Sequence, residues 1–181
     1  MKKRILALML VLILAVSFAA CGEKKEEENK TPDPDPVVTD NGEDNGPKAE
    51  EVMGVTIPEF AITVNDVEVT HEMMADYAIY QVTVSTVNSS GTESTTTFCG
   101  FALKDILAAA GIEGDFATLT AVATDGYEIV FEDAAELIAS DVTLVALTKN
   151  GDPFKDAPWF APCTSGTTGD YLKGMATITL E

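Results

Sequence analysis

From residue 53 onward the chain alternates apolar and polar side chains in short runs, a pattern typical of β-strands that are buried on one face. The clearest run is 79–87, in which the apolar residues recur with a period of two. The turn-forming segment 88–91 and the threonine-rich run 93–98 follow it, so these two runs predict a hairpin. On similar grounds, further strands are predicted at 60–64, 67–69, 118–124, 127–131, 142–147, 159–163 and 175–180.

Two segments have the pattern of short helices instead. In the first, apolar residues recur at positions i, i+3, i+4 and i+7, namely Leu103, Ile106, Leu107 and Ala110. Gly111 follows at the position that commonly ends a helix. The second predicted helix covers 132–139 and begins with two acidic residues, which are favourable at the positive end of a helix. The pattern therefore predicts an α+β fold, mostly β, with mixed sheets and two short helices.

The first 21 residues differ from the rest in carrying three cations followed by an apolar run that ends at Phe18. This run is shorter than the roughly 20 residues that a membrane-spanning helix needs, and it is typical of an export signal. The sequence Phe18-Ala19-Ala20-Cys21-Gly22 resembles a bacterial lipoprotein signal, in which the cysteine is acylated and becomes the mature N-terminus. We therefore predict a signal peptide at 1–20 and lipidation of Cys21. The alternative is an ordinary secretory signal with an incidental cysteine.

Residues 21–52 form a second region, rich in acids, proline, glycine and asparagine. Such a composition cannot bury enough apolar surface to offset the entropy of ordering, and it predicts a disordered linker. The alternating prolines at 32, 34 and 36 favour a locally extended chain. The expected organisation is thus a signal peptide at 1–20, a linker at 21–52 and one domain at 53–181. The resemblance of the signal implies an extracytoplasmic protein that its lipid anchors to the cell membrane.

Charge excludes several functions. The chain has a net charge of −19, and residues 53–181 carry four lysines and no arginine against 19 acidic residues. Such a domain is repelled by phosphate backbones, so we expect no nucleic-acid partner. One histidine and three scattered cysteines cannot build a multi-ligand metal site, and we predict no metal. No Gly-x-Ser-x-Gly motif is present, and the sequence identifies no catalytic residue.

Two further features could carry chemistry. Cys99 and Cys163 are the thiols that remain once Cys21 is set aside, and they could form a disulfide, lie buried as free thiols, or include one redox-active thiol. The hydroxyl- and glycine-rich segment 164–169, with Lys173 just beyond it, could hold an anion through its backbone N–H groups. A plain surface loop is the alternative for that segment.

Four segments, taken in order, resemble the molybdopterin-binding domain of sulfite oxidase-like oxidoreductases. They are Cys-Gly-Phe-Ala-Leu-Lys-Asp-Ile-Leu at 99–107, Thr-Asp-Gly-Tyr at 124–127, the run from Leu to Asn-Gly-Asp-Pro at 144–153, and Tyr-Leu-Lys-Gly-Met-Ala-Thr-Ile at 171–178. The likeness extends over about residues 60–181. It implies a sulfite oxidase-like molybdopterin-domain fold.

The chain differs from that family at the positions that would bind the metal and the cofactor. The family's metal-ligating cysteine would fall near 85–88, where this chain has no cysteine, and arginine is absent from 5–181. A hydroxyl or amide is a much weaker ligand than a thiolate for such a metal. The resemblance makes molybdopterin a possible cofactor, yet these departures lead us to expect none. The expected ligand crevice, occupied by molybdopterin in the family, would be formed by Asn88, Ser89, Tyr127, Thr164, Ser165 and Lys173.

The sequence thus favours a membrane-anchored lipoprotein whose domain is a non-catalytic ligand-binding or redox-accessory module rather than an enzyme. Its expected partners are the membrane, through the lipid on Cys21, and a redox protein or a cell-surface component. One alternative is a surface interaction or adhesion module without a small-molecule site, which the threonine-rich strands suggest. The other is an active molybdopterin-dependent oxidoreductase.

Overall fold

A computed structural model describes residues 46–181, which form two β-sheets and two short α-helices. The predicted signal peptide, Cys21 and most of the predicted linker lie outside the described residues. The first sheet contains β1 (Ala49–Val52), β4 (Ile79–Val87), β5 (Glu93–Ala102), β8 (Thr143–Lys149), β9 (Asp152–Pro153) and β10 (Trp159–Pro162). The second contains β2 (Ala61–Val64), β3 (Val67–Thr70), β6 (Leu119–Ala123), β7 (Glu128–Phe131) and β11 (Met175–Leu180). The helices are α1 (Leu103–Ala109) and α2 (Ala134–Ala139).

The prediction of a mostly β, α+β domain with two short helices is confirmed. In α1 the residues Leu103, Ile106 and Leu107 are buried, as the apolar stripe predicts. The hairpin of β4 and β5 pairs in antiparallel register from Tyr80 opposite Gly100 to Val87 opposite Glu93. The period-two pattern of β4 therefore placed its residues on the correct faces.

Antiparallel pairing builds the whole first sheet, in the order β1-β4-β5-β8-β10, with β9 also pairing with β8. The interior strand β8 is buried on both faces. Val145 and Leu147 belong to a large core that joins the two sheets and the helices, whereas Leu144 and Ala146 belong to a smaller core with Phe98. This explains why β8 is a continuous apolar run rather than an alternating one.

The second sheet is mixed, in the order β3-β2-β11-β6-β7. Its central strand β11 pairs in parallel with β2 and in antiparallel with β6. Asn65, in the turn after β2, extends this contact through its side chain, because its Nδ2 donates to Leu180 O (3.3 Å) and its Oδ1 accepts from Leu180 N (2.8 Å). Asn65 has a positive φ of 42°, a conformation that asparagine adopts more readily than most residues. The amide thus joins two parts of the chain that are distant in sequence.

One segment differs from the sequence prediction. Residues 49–52, which the composition assigned to the linker, form the edge strand β1 on β4. Backbone hydrogen bonds suffice to add an edge strand, so this segment needs no apolar pattern of its own. Residues 71–77, which follow β3, form a series of hydrogen-bonded turns, in which Met74 N donates to His71 O and Tyr77 N donates to Met74 O.

Candidate functional site

The loop after β10 brings several polar side chains next to the β4–β5 hairpin. Its own hydrogen bonds hold it: Asp170 accepts from the hydroxyls of Ser165 and Thr167, the latter over 2.7 Å, and Thr167 N donates to Ser165 Oγ (3.1 Å). The backbone N–H of Val87, at the end of β4, donates to Gly166 O (2.8 Å). The hydroxyl-rich loop is therefore an ordered surface fixed to the first sheet.

Tyr171, at the end of this loop, packs in the smaller core and so connects the loop to it. Its hydroxyl donates to Ser165 O (3.2 Å), and its ring stacks on Phe98 with the centroids 5.3 Å apart. Burial raises the pKa of the Tyr171 phenol well above its ordinary value, as does the neighbouring Cys163. At neutral pH Tyr171 is therefore a neutral hydrogen-bonding group.

A cavity of about 220 Å³ lies between this loop, the hairpin and the start of β10. Trp159 forms one of its aromatic walls. Phe154 stacks on Trp159 in parallel, with centroids 4.6 Å apart and an interplanar angle of 5°, and Phe98 lies 6.2 Å from it. We call this space the Trp159 cavity, and its lining consists of Thr86, Ser94, Thr96, Phe98, Lys149, Trp159, Thr168, Tyr171 and Lys173.

Two lysines approach the same tryptophan ring. Lys149 Nζ lies 5.5 Å and Lys173 Nζ lies 5.2 Å from the ring centroid of Trp159, both within cation–π range. Within residues 46–181 neither lysine forms an ion pair with a carboxylate. Lys104, by contrast, donates to Asp141, and this hydrogen bond raises the pKa of Lys104. Half of the four lysines in 53–181 thus converge on one cavity.

Two nearly buried threonines also line the Trp159 cavity. Thr86 and Thr96 are only 4% and 6% exposed. The Thr86 hydroxyl lies 3.4 Å from Ser94 Oγ and 3.5 Å from Ser94 O, which is long for an O–H···O bond of typically about 2.7–2.8 Å. The Thr96 hydroxyl has no hydrogen-bond partner in the part of the chain that the structure describes. The cavity therefore presents polar groups with unused hydrogen-bonding capacity.

Two larger grooves border the same loop. One of about 510 Å³ lies between β4, residues 46–50 and residues 163–166. The other, of about 490 Å³, lies against α2 and includes Glu132, Asp133, Glu136 and Asp170. Within residues 46–181, no group of three or more His, Cys, Asp or Glu side chains is arranged to hold a metal ion. Of the acidic side chains in the second groove, Glu132, Asp133 and Glu136 are exposed to solvent.

The structure brings together some of the site residues predicted from the sequence. Thr164 and Ser165 lie side by side and line both larger grooves, whereas Lys173 lines the Trp159 cavity. Asn88 organises the hairpin turn, since its Oδ1 accepts from Ser90 N (3.0 Å) and Thr92 N (2.9 Å).

Ser89 and Tyr127 lie apart from this cavity. Ser89 is exposed in the same turn as Asn88, and Tyr127 is 61% exposed at the β6–β7 turn of the second sheet. Neither residue belongs to the lining of the Trp159 cavity or of the two larger grooves.

Sequence reasoning missed the most informative residues of the cavity, Lys149 and Trp159. Lys149 lies within one of the segments quoted for the family resemblance, and Trp159 was assigned only to a strand. One signal could have drawn attention to them. In a domain with only four lysines and one tryptophan, each of these residues is rare enough to be considered individually.

Cys99 and Cys163 are free, buried thiols in the structure, so the disulfide is not formed. Cys99 lies opposite Thr148 on one side of β8, and Cys163 N donates to Val142 O on the other side. Six residues along a strand correspond to about 20 Å. A disulfide requires Cα atoms within about 7 Å, so this register rules the bridge out.

Burial also makes these thiols poorly reactive. It raises the pKa of Cys163 to about 12 and raises the pKa of Cys99 above its ordinary value. With a pKa of about 12, roughly one Cys163 side chain in ten thousand is a thiolate at pH 8. Because the thiolate is the nucleophile, the redox-active alternative is disfavoured for Cys163.

We expect an aromatic disulfide reagent to modify neither thiol within minutes in the native full-length chain carrying Cys21→Ser. In guanidinium chloride without reductant, the same chain should titrate two thiols. Rapid modification of one thiol in the native protein would contradict this prediction and support the redox-active alternative. One or no thiol in the denatured chain would indicate that the cysteines had been oxidised.

No protein-family model matches this chain, and no curated protein matches it. None of the helices within residues 46–181 is long and apolar enough to cross a membrane. What the protein does must therefore be inferred from its own residues.

Proposed function

We propose that this protein is a lipid-anchored, extracytoplasmic binding module that holds a small molecule in the Trp159 cavity. The described domain would have a sulfite oxidase-like fold that serves binding rather than metal chemistry. The observation that carries the proposal is the convergence of two unpaired lysines and two nearly buried threonines on one aromatic-walled space. Concave sites with apolar walls and a few convergent polar groups are the usual form of small-molecule sites.

The lining favours binding over catalysis. Its nine residues include Ser94 but no histidine or acid, the groups that most often activate a serine hydroxyl as general base. The raised pKa of Tyr171 keeps its phenol protonated at neutral pH. The cavity can therefore orient a ligand and exclude water from it.

A molybdopterin cofactor does not fit this arrangement. The lining supplies hydroxyls, ammonium groups and aromatic rings but no thiolate, and a soft thiolate is the ligand type that such a metal would need. Cys99 is absent from the lining, and Cys163 borders the 510 Å³ groove with a side chain that is fully buried and protonated. We derive no chemical step through such a group.

The surface-interaction alternative depends on the exposed hydroxyls of the β4–β5 hairpin. These hydroxyls already pair across the strands, with Thr83 Oγ1 2.9 Å from Thr97 Oγ1 and Ser85 Oγ 3.3 Å from Thr95 Oγ1. Cross-strand pairs of this kind stabilise a sheet by themselves. They explain the threonine-rich pattern without a partner, which favours the cavity as the functional site.

The anchor is tested by labelling. Cells that express the full chain and are fed a radiolabelled fatty acid should incorporate label into the wild-type protein and not into Cys21→Ser. Cys99→Ser is the matched control and should keep the label. Equal labelling of wild type and Cys21→Ser would contradict lipidation at this cysteine.

Binding is tested through Trp159, which is the only tryptophan in the chain. A panel of small neutral, cationic and anionic molecules is titrated against the full-length protein in detergent, and the indole N–H resonance is followed by NMR. At least one class should shift it saturably. The ring resonances of the exposed Tyr127 are the internal control and should not move with it. If no class shifts the indole resonance, the proposed function is wrong.

A further inference from the structure

The Trp159 cavity is lined by positive charges, although the domain as a whole is strongly negative. The domain carries 19 acids and four lysines in residues 53–181, and within these residues only Lys104 forms an ion pair with a carboxylate. Lys149 and Lys173 instead face one ring, and their ammonium groups can be no more than about 11 Å apart because both lie within 5.5 Å of its centroid. Two like charges at this separation repel each other. A negatively charged ligand between them would remove that cost.

The hydroxyls of Thr86 and Thr96 also favour a ligand that carries oxygen acceptors. Thr86 and Thr96 are nearly withdrawn from water, and neither has a short hydrogen bond to protein atoms within residues 46–181. A hydroxyl that lines the cavity without a short bond to the protein is available to donate to a ligand oxygen. Hydroxyls and ammonium groups can all donate, which suits a ligand rich in acceptors.

Volume limits the size of the ligand. A space of about 220 Å³ is smaller than the roughly 300–1,000 Å³ of typical small-molecule sites. A molecule of about eight to ten non-hydrogen atoms fills such a space, whereas a fused-ring cofactor with a side chain does not. The aromatic walls of Trp159 and Phe98 would pack against its carbon atoms.

We infer that the Trp159 cavity binds a small dianion, either a dicarboxylate or a phosphate monoester, with Lys149 and Lys173 each pairing with part of its charge and Thr86 and Thr96 donating to its oxygens. This inference deepens the proposed function and rests on it. Lys149 and Lys173 set the charge preference of the site. The aromatic rings and the volume set its length.

A series of ligands of equal size separates the effect of ligand charge on affinity from the effect of ligand shape. Succinate, succinamate and succinamide have the same number of non-hydrogen atoms but carry two, one and no negative charges. Followed by the Trp159 indole resonance in the full-length protein, affinity should fall by about tenfold at each step, since hydrogen bonds to charged groups are the strong ones. Methyl phosphate is titrated in parallel, and the tighter of methyl phosphate and succinate identifies which dianion the site prefers.

Lysine variants test which residues cause the preference for dianions. Lys149→Gln and Lys173→Gln should each weaken binding of the preferred dianion about tenfold and leave succinamide unaffected. Lys155→Gln removes the same charge from an exposed lysine outside the Trp159 cavity and is the matched control, with little expected change. Dianion affinity should also decrease as salt is raised from low to physiological concentration.

The outcomes distinguish this inference from the function on which it rests. If succinamide or a cationic molecule binds as tightly as both dianions, or if the lysine variants weaken binding no more than Lys155→Gln, the dianion inference is wrong while the binding function stands. If affinity falls with each negative charge that is removed and both lysines are required, the inference is supported. If nothing in the broader panel shifts it, both are wrong.

Discussion

Gly100→Ala should strongly destabilise the domain. A Cβ atom at this position would lie 2.1 Å from Val145 O and 2.7 Å from Ala146 Cα, and both are backbone atoms of a buried neighbouring strand. The register of β5 against β8 shifts between Cys99 and Gly100, so the strands approach closely here. Overpacking a core usually costs about 1–3 kcal/mol, and a clash with rigid backbone should cost at least about 3 kcal/mol.

Thermal unfolding monitored by circular dichroism measures this effect. The melting temperature of the Gly100→Ala chain should fall by roughly 10 °C or more. Gly169→Ala is the control, because a Cβ there meets open space and its φ does not require glycine. Equal melting temperatures for the two variants would show that β5 and β8 do not approach as closely as described.

Phe160→Ala should cost about 3–5 kcal/mol of unfolding free energy, the usual range for removing a fully buried aromatic side chain. Phe160 is 0% exposed on β10 of the first sheet, and its ring lies 5.2 Å from that of Phe131 on β7 of the second. Its backbone also exchanges two hydrogen bonds with Leu172, at 2.9 and 3.0 Å. The substitution therefore opens a cavity where the two sheets meet.

Denaturant unfolding of the full-length chain tests this prediction, with the free energy taken from midpoint and slope. Val130→Ala is the control, since Val130 is 55% exposed and its truncation should change stability by less than about 0.5 kcal/mol. A loss below about 1 kcal/mol for Phe160→Ala would mean that the sheets do not depend on this contact.

Local periodicity was enough to find most of the strands and both helices. The alternation in 79–87 and the stripe from Leu103 to Ala110 are each determined by which face is buried, so they can be read from neighbours in sequence. The edge strand β1 was missed because it is held through its backbone and carries no apolar pattern. The order of strands, above all the central position of β11, depends on pairings between distant segments and leaves no local trace.

The site was less accessible to sequence reasoning than the fold. Lys173 and the hydroxyl-rich loop were found because they lie next to each other in the chain. Lys149 is 24 positions before Lys173 and becomes its neighbour at Trp159 only when β8, β10 and the loop have come together. Tyr127 was expected beside them, yet it lies exposed at a turn of the other sheet. Which side chains converge on a cavity is a property of the tertiary fold.

The central position of β11 has a consequence for how the domain folds. Strands β2 and β6 can join into one sheet only through residues 175–180, and β2 precedes them by more than 100 residues. Closing so long a loop costs conformational entropy before any stabilising contact has formed. Such non-local pairings therefore slow folding. Until residues 175–180 have been synthesised, β2 can pair only with β3 and β6 only with β7, so each of these two strands keeps one unpaired edge. We therefore expect the second sheet to be completed only after β11 is present, and a chain cut before Met175 to expose strand edges that are prone to aggregation.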